Sequence, residues 1–452
     1  MPQRSPTAPQ PTLDQMLARE KRPVPAVLAE RGEAPVPVKP IDRRRYYDPD
    51  FAALENARLW PRTWQMACRL EDIPETGDYV LYEIADISLI VVRSDRNTVR
   101  AFFNACLHRG RALRDSDGTA SEFRCPFHGF TWAIDGTCKR IVNEWDFAHV
   151  DKADFALPEA QVGVWGGFVF VCPDGCDESL ADFLGPVAAA YETRGWSLAE
   201  RTKVVHVQKI NRCNWKIALE AFIESFHVTE THSSAAPYLG DANTQYDVWE
   251  GVPHTRMISP RGLASPNIAP MSDEEVYRAG MRPALGEEAD TLTLPDSAES
   301  AREAIGAARR RALVEQGVPH AAEATDCELI DTIQYHVFPN LVCWAGWGSY
   351  LVYRFRPHGT DPDMSVMDIM FVAPGGDPEA VPEPQVVGPD ASLHEAPQLG
   401  GYCTVFDEDS ANLAALQRGL KTMRTKGPVT GDYQEARIRH FHAQLDKSLG
   451  NT

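Results

Sequence analysis

Cys106-Leu107-His108 is followed, after sixteen residues, by Cys125-Pro126-Phe127-His128, giving the pattern CxHx16CxxH. This pattern constrains the fold of the 452-residue chain more tightly than any other, because four soft ligands at such spacing have to be gathered by two loops of one small domain. Given the chain's own Cys and His content, the chance of a match with a gap near this length is on the order of a few in ten thousand. Each cysteine is paired with a histidine across one or two residues. Each pair runs into a glycine, as His108-Arg109-Gly110 and His128-Gly129. Zinc ribbons and fingers pair Cys with Cys and His with His, so a zinc site is the weaker alternative. The arrangement suits a 2Fe–2S centre with Cys106 and Cys125 on one iron and His108 and His128 on the other. Neutral histidine ligands raise the potential of such a centre to roughly −150 to +300 mV.

Strand signals surround these loops. Segments 79–84 and 88–93 precede the turn Ser94-Asp95-Arg96-Asn97, and 99–105 follows it, which predicts a hairpin. Further strands are expected over 130–134 and 164–171, and a short helix over 50–60 carries Phe51, Leu54 and Leu59. Together they predict a small β-rich domain over 45–170. Residues 1–44 are rich in Pro and polar groups without a sustained period. They are expected to form an N-terminal arm, extended or partly disordered, reaching over a neighbouring subunit.

The second half, 171–452, has a different character. A helical link over 180–197 and an alternating strand over 204–210 lead into Asn214–His232, NWKIALEAFIESFHVTETH. Trp215, Leu219, Phe222, Ile223 and Phe226 recur at spacings of three and four, an apolar helical stripe. Glu224 and His227 lie three apart and so share a helix face. His232 follows five residues after His227, too far round a straight helix to converge with it, so the helix is expected to end or distort here. Two imidazoles and a later carboxylate make a facial triad that holds Fe(II) and leaves open positions. The plainer alternative is a buried helix end with two satisfied histidines. Beyond it, charged helical stretches over 271–330 interrupt the strand pattern. Strand-like runs follow at 332–338, 341–344, 349–355 and 365–372. A Pro/Gly-rich loop over 373–400 precedes an amphipathic helix marked by Leu413, Leu416, Leu420 and Met423, and a last helix is expected over 433–449. The fold class is therefore α+β, a sheet with helices packed on it.

Net charge is −19, from 45 basic and 64 acidic residues, which argues against nucleic acid or an anionic membrane as partner. A solvated acidic face is the simple reading of that charge, and docking to a basic redox partner the other. No apolar run approaches the ~20 residues of a membrane span, and the N-terminus lacks a secretory signal. A cytoplasmic location is expected. In that setting the ten cysteines are not expected to form disulfides; those outside the CxH and CxxH pairs are expected to be buried small hydrophobes.

CLHRG, CPFHGFTW and NWKIALEAFIESFH-x4-H, in that order, resemble the catalytic α subunit of Rieske non-haem iron oxygenases of the aromatic-ring-hydroxylating type, from about residue 45 to the end. The resemblance implies a Rieske domain plus a catalytic domain of helix-grip form. It implies His227 and His232 as ligands of the mononuclear iron, with the third ligand in the segment 405–420, where alignment on Asn412 and Gln417 selects Asp409. Asp407 and Glu408 remain alternative ligands, and Asp409 could instead cap that helix. Glu224 is implied as the bridge from His227 to His128 of a neighbouring copy, hence a homotrimer, with or without separate β subunits. An ordinary buried ion pair is the alternative for Glu224. Ala221 stands where many members have Asn, and Glu224 where many have Asp, which weakens any transfer of substrate class. The implied activity is hydroxylation of a small organic substrate, aromatic by the family's type, by mono- or dioxygenation. It would use O2 and electrons from NAD(P)H through a reductase, with or without a ferredoxin. A bare electron carrier or a zinc protein are the alternatives.

Phe222, Phe226, Trp249, Met257, Trp344, Trp347 and Tyr350 are candidate pocket walls, although core packing is the commoner role of such side chains. His254 and Arg256 could meet a substrate carboxylate, but exposure in the loop 251–270 is the simpler expectation. The 271–330 insertion is a candidate lid or substrate entrance.

Overall fold

The computed structural model describes residues 9–450. The two Cys–His loops rise from a seven-stranded antiparallel sheet, in which strands Gln65–Arg69, Phe168–Cys172, Glu159–Trp165, Thr98–Phe103, Ile87–Asp95, Asp78–Ile84 and Gly118–Thr119 lie side by side in that order. A three-stranded sheet of Glu122–Arg124, Thr131–Ala133 and Cys138–Arg140 completes this part. Strand alternation divides its core: Leu89 and Val91 face the rest of the molecule, while Ile90 and Val92 pack with Cys106, Cys125 and Phe130 beneath the loops. The expected hairpin forms, with strands ending at Asp95 and resuming at Thr98. The single strand expected over 164–171 is instead two, paired antiparallel across Gly166 and Gly167. Both glycines have positive φ, 57° and 79°, which lets the chain reverse within two residues. Phe168–Cys172 ends in a disulfide from Cys172 to Cys176, contrary to the expectation of free thiols. Only four residues apart, the two cysteines meet because the chain turns at Pro173-Asp174, where Gly175 N donates to Cys172 O.

The second part is an eight-stranded sheet in the order Gln245–Val248, Thr255–Ser259, Thr332–Val337, Leu341–Ala345, Leu351–His358, Asp361–Pro374, Arg201–Asn211 and Gln385–Val387. All neighbours pair antiparallel except the last, which is parallel. Val342, Trp344, Tyr353, Phe355 and Ile369 point to one face, which is covered by the helices Trp215–Phe222, Tyr402–Thr422 and Ala436–Leu449. Leu341, Cys343, Val352 and Met370 point to the other, beneath Leu180–Leu184, Asp273–Leu285 and Ala301–Glu315. The N-terminal arm covers this second face of its own chain. Its helix Leu13–Leu17 is held by a Thr12/Gln15 capping box, and Leu13, Met16, Val27 and Leu28 are buried. Backbone pairing of Glu33 with Val248 then extends the edge of the sheet. Among the described residues no helix is long and apolar enough to cross a membrane.

One buried ion pair sets the angle at which the key helix enters. Lys216 Nζ lies 2.7 Å from Glu55 Oε1, both side chains buried, tying helix Trp215–Phe222 to helix Pro49–Arg58. Asn214 caps the former, its side chain accepting from Lys216 N, while Asn214 N donates to Gln417 Oε1 at 3.0 Å.

Candidate active site

The two cysteine–histidine loops are built alike. Gly110 N donates to Cys106 O and Gly129 N to Cys125 O, and both glycines sit at φ 76°, a left-handed position that β-carbons disfavour. Each loop therefore bends back on its cysteine and raises its histidine above it. Both thiols are buried, at 4% and 2% exposure, and they are hydrogen-bonded to each other. Burial pushes the Cys106 thiol up, against the backbone N–H groups of His108 and Arg109, which favour thiolate. The imidazoles of His108 and His128 lie 4.7 Å apart, and His108 stacks on Phe130. Burial, then His128 and Arg109, pull the His108 pKa down, which favours the neutral ring. Its Nδ1 is buried without a partner, a cost that a bound metal would remove.

These four residues do not close on one point. Among the described residues, the set of His, Cys, Asp or Glu donors that lie within 4.8 Å of one another is His227, His232 and Asp409. Paired thiols beside paired imidazoles, too spread for a single zinc ion, fit a two-iron cluster with Cys on one side and His on the other.

The second set is assembled from two helical segments. The helix expected to run through His227 stops at Phe222. Ser225 takes the chain out of helical register: its N–H donates to Tyr246 Oη, and its Oγ bonds Asp241 O and Thr244 Oγ1. Phe226, expected in the apolar stripe, is consequently turned out, at 51% exposure. A single turn, Val228–Thr231, then separates His227 from His232 and sets their rings 5.1 Å apart. Glu224 and His227 still meet, across a non-helical turn: His227 Nδ1 is 2.5 Å from Glu224 Oε1.

The opposite wall is helix Tyr402–Thr422, which begins well before Asp409, so Asp409 lies within the helix and caps nothing. Its three neighbouring carboxylates divide cleanly. Asp407 is occupied by Ser392 Oγ and Leu393 N. Glu408 Oε2 lies 2.8 Å from His232 Nδ1. Asp409 Oδ1 lies 3.1 Å from His232 Nε2 and 3.6 Å from His227 Nε2. Both Nε2 atoms thus face one carboxylate, and both Nδ1 atoms are held by another. Burial pulls both imidazoles down, but Glu224 and Asp409 outweigh it at His227, and Asp409 and Glu408 at His232, so both pKa values end up raised.

Register across the two helices explains why Asp409 is the residue that arrives. Gln417 accepts from Asn214 N and Asn412 donates to Thr231 Oγ1, pinning the long helix at both ends of the histidine segment. Asp409 lies eight residues before Gln417, about 12 Å along the helix. Sequence reading missed Glu408, which was weighed only as a substitute ligand; the run Asp407-Glu408-Asp409 was its signal. His254 and Arg256, expected to be exposed, are fully buried instead. His254 Nε2 bonds Phe183 O, and Arg256 pairs with Asp247, its cross-strand neighbour. Trp249, Trp347 and Tyr350 lie on the far face of the sheet, whereas Phe222 and Trp344 pack on the side that carries the site.

The model of the ring hydroxylating alpha subunit (catalytic domain) family matches residues 194–451, more than half the chain. The chain belongs to this family. The model of the Rieske [2Fe-2S] domain matches residues 63–147. Family relatives include the glycine betaine monooxygenase oxygenase subunit of Chromohalobacter salexigens, 31% identical over 45% of this chain and 44% of the relative. The anthranilate 1,2-dioxygenase large subunit of Acinetobacter baylyi is 28% identical over 42% of each. The aligned chain thus spans less than half the length of these curated relatives. Among solved structures, a quaternary ammonium Rieske monooxygenase with L-carnitine superposes with a TM-score of 0.63 over 91% of this chain and 96% of that one, at 15% identity. Naphthalene 1,2-dioxygenase from Rhodococcus sp. bound to indole gives 0.61 over 91% and 94%, at 20% identity. These structures share the family's fold.

Proposed function

We propose that this chain is the catalytic subunit of a Rieske non-haem iron oxygenase, hydroxylating a small organic substrate by mono- or dioxygenation. O2 is the co-substrate, and the electrons come from NAD(P)H through a reductase, with or without a ferredoxin. One observation carries the reading: two imidazole Nε2 atoms converge on Asp409 while each Nδ1 is held by a carboxylate. Cys106, Cys125, His108 and His128 would hold the cluster, and His227, His232 and Asp409 the Fe(II). When bound, the cluster supplies single electrons and the three-ligand iron keeps positions open for O2.

The chain's own part is orientation. Glu224 and Glu408 accept the Nδ1 protons, which fixes each ring in the tautomer whose Nε2 lone pair is free. Glu224 is also anchored by the backbone N–H groups of Phe226 and His227, so it cannot swing away from the ring. A carboxylate has spare acceptor sites. In our reading Glu224 uses one for His128 of a second copy, joining the two sites in a homotrimer with or without a β subunit. Support comes from the exposed position of His128 beside Phe127, itself 55% exposed under Arg109. The cytoplasm, where NAD(P)H is supplied, is the proposed location.

Iron and acid-labile sulfide per chain, with an EPR spectrum of the dithionite-reduced protein, test this directly. About three irons and two sulfides with a Rieske signal support the oxygenase. Two irons that Fe(II) reconstitution does not raise would reduce the protein to an electron carrier, and zinc without sulfide would overturn the reading.

A further inference from the structure

Most arginines inside the catalytic part have an acid to meet: Arg256 has Asp247, Arg302 has Asp331, Arg310 has Asp326 and Arg354 has Asp368. Arg261 has none. Among the described residues no carboxylate lies within 4.0 Å of its guanidinium, and its Nε is buried without a hydrogen-bond partner. The nearest candidate, Asp331, is already taken by Arg302 through two bonds of 2.5 and 2.8 Å and gives Arg261 only a contact to its backbone N–H. A guanidinium with no acceptor at all is costlier than one that misses a single bond, and an anionic ligand would satisfy it.

Its position says where that partner would come from. Along strand Thr255–Ser259, Thr255 Oγ1 accepts from Arg437 on the last helix, and Ser259 Oγ accepts from Thr244, which in turn bonds Ser225. This is the sheet face that carries the histidine segment, and Arg261 follows two residues beyond Ser259. It pairs across an isolated bridge with Leu239, seven residues after His232. The phenol of Tyr353, raised well above its usual range by burial, lies in the fields of both Asp409 and Arg261. The same face carries Trp344, 8% exposed, whose indole N–H is also buried and unpartnered. Two orphaned donors, one of them cationic, thus lie on the side of the sheet that carries the two histidines and their three carboxylates.

We infer that Arg261, with the Trp344 indole, receives a carboxylate of the substrate, so that the site takes small organic acids. A planar guanidinium meets a carboxylate with parallel hydrogen bonds, which positions the remainder of a small molecule against the histidine pair. The inference rests on the oxygenase reading, and it also assigns the role first considered for Arg256 to a different arginine.

The test is calorimetric titration of the iron-loaded, reduced protein under anaerobic conditions with benzoate and glycine betaine, each against its amide. At least one acid binds about tenfold or more tighter than its amide, because the amide offers one neutral acceptor and leaves the guanidinium charge unpaired. Arg261→Met removes that preference, Arg261→Lys keeps part of it, and Trp344→Phe weakens the acid severalfold. Circular dichroism checks that each variant folds, and Arg261→Gln serves if the methionine variant does not. Equal binding of acid and amide, failure of both acids to bind, or an acid preference that survives in the methionine and glutamine variants overturns the inference. Iron and sulfide are measured on the same samples. Full metal content with no acid preference sinks this inference alone, whereas missing iron or sulfide sinks the oxygenase reading with it.

Discussion

The two sites of this molecule are made in opposite ways. The two Cys–His loops draw the proposed cluster ligands from 23 consecutive residues, Cys106 to His128, and each loop is shaped by its own glycine. The second site joins His227 and His232 to Asp409, 177 residues after His232, and nothing local brings them together. Its geometry depends on how two helices are pinned, through Asn214 to Gln417 and Thr231 to Asn412, and on the Glu55–Lys216 pair that seats the first helix. A local site is robust to changes elsewhere in the core. An assembled one inherits every error in packing.

Substitution of the ligands should separate the two most sharply. Asp409→Ala is expected to lower oxygenase turnover by a factor on the order of a thousand or more, because the open iron position needs all three ligands. Iron falls by about one per chain with the Rieske EPR signal intact. Cys125→Ser does the reverse, removing the cluster while the His227–His232–Asp409 set still takes up Fe(II). Loss of both signals in both variants would mean that the sites are not independent. Removing the supporting carboxylates is the next largest effect. Glu408→Ala removes the acceptor of the His232 Nδ1 proton and should weaken Fe(II) affinity by about 10- to 100-fold, read by competition with a chelator.

Register can be probed away from either site. Glu55→Ala leaves the Lys216 ammonium buried and alone, at a cost of about 3–5 kcal/mol in denaturant unfolding. If assembly through packing is the right description, this variant loses mononuclear iron more readily than cluster. Equal loss of both would blur the contrast. Acid offers a gentler test. Burial drives the pKa of His254 and of His440 down to about 4. Below about pH 6.5 the unfolded chain takes up protons that the native one refuses. Stability is therefore complete above that pH and falls as pH drops towards 4, by on the order of 3 kcal/mol for each histidine. Both sit in the catalytic part, so its unfolding should precede loss of the cluster's visible absorbance. A cluster that bleaches first would contradict this.

What could be read from sequence follows the same division. Cys106, His108, Cys125 and His128 announce themselves by spacing, and in the structure the two thiols meet and the two imidazoles lie 4.7 Å apart. Asp409 emerged from its register with Asn412 and Gln417, which prove to be the side chains that lock the helices together. The turn at Gly166-Gly167 was visible as a pair of glycines but was hidden within an apolar run. The end of the helix at Phe222 was not visible, because it is imposed by Ser225 bonding to Tyr246 and Thr244 on a distant strand. Burial of Arg256 depends on Asp247 lying directly across the sheet, a pairing that only strand register reveals.

Nitric oxide added anaerobically to the reduced, iron-loaded protein tests the central claim most directly, since it binds where a three-ligand Fe(II) leaves coordination open. The account predicts a high-spin iron–nitrosyl EPR signal of about one per chain, present in the Cys125→Ser variant and absent from Asp409→Ala. A signal that survives in Asp409→Ala, or that never forms in the wild-type protein loaded with iron, would contradict it.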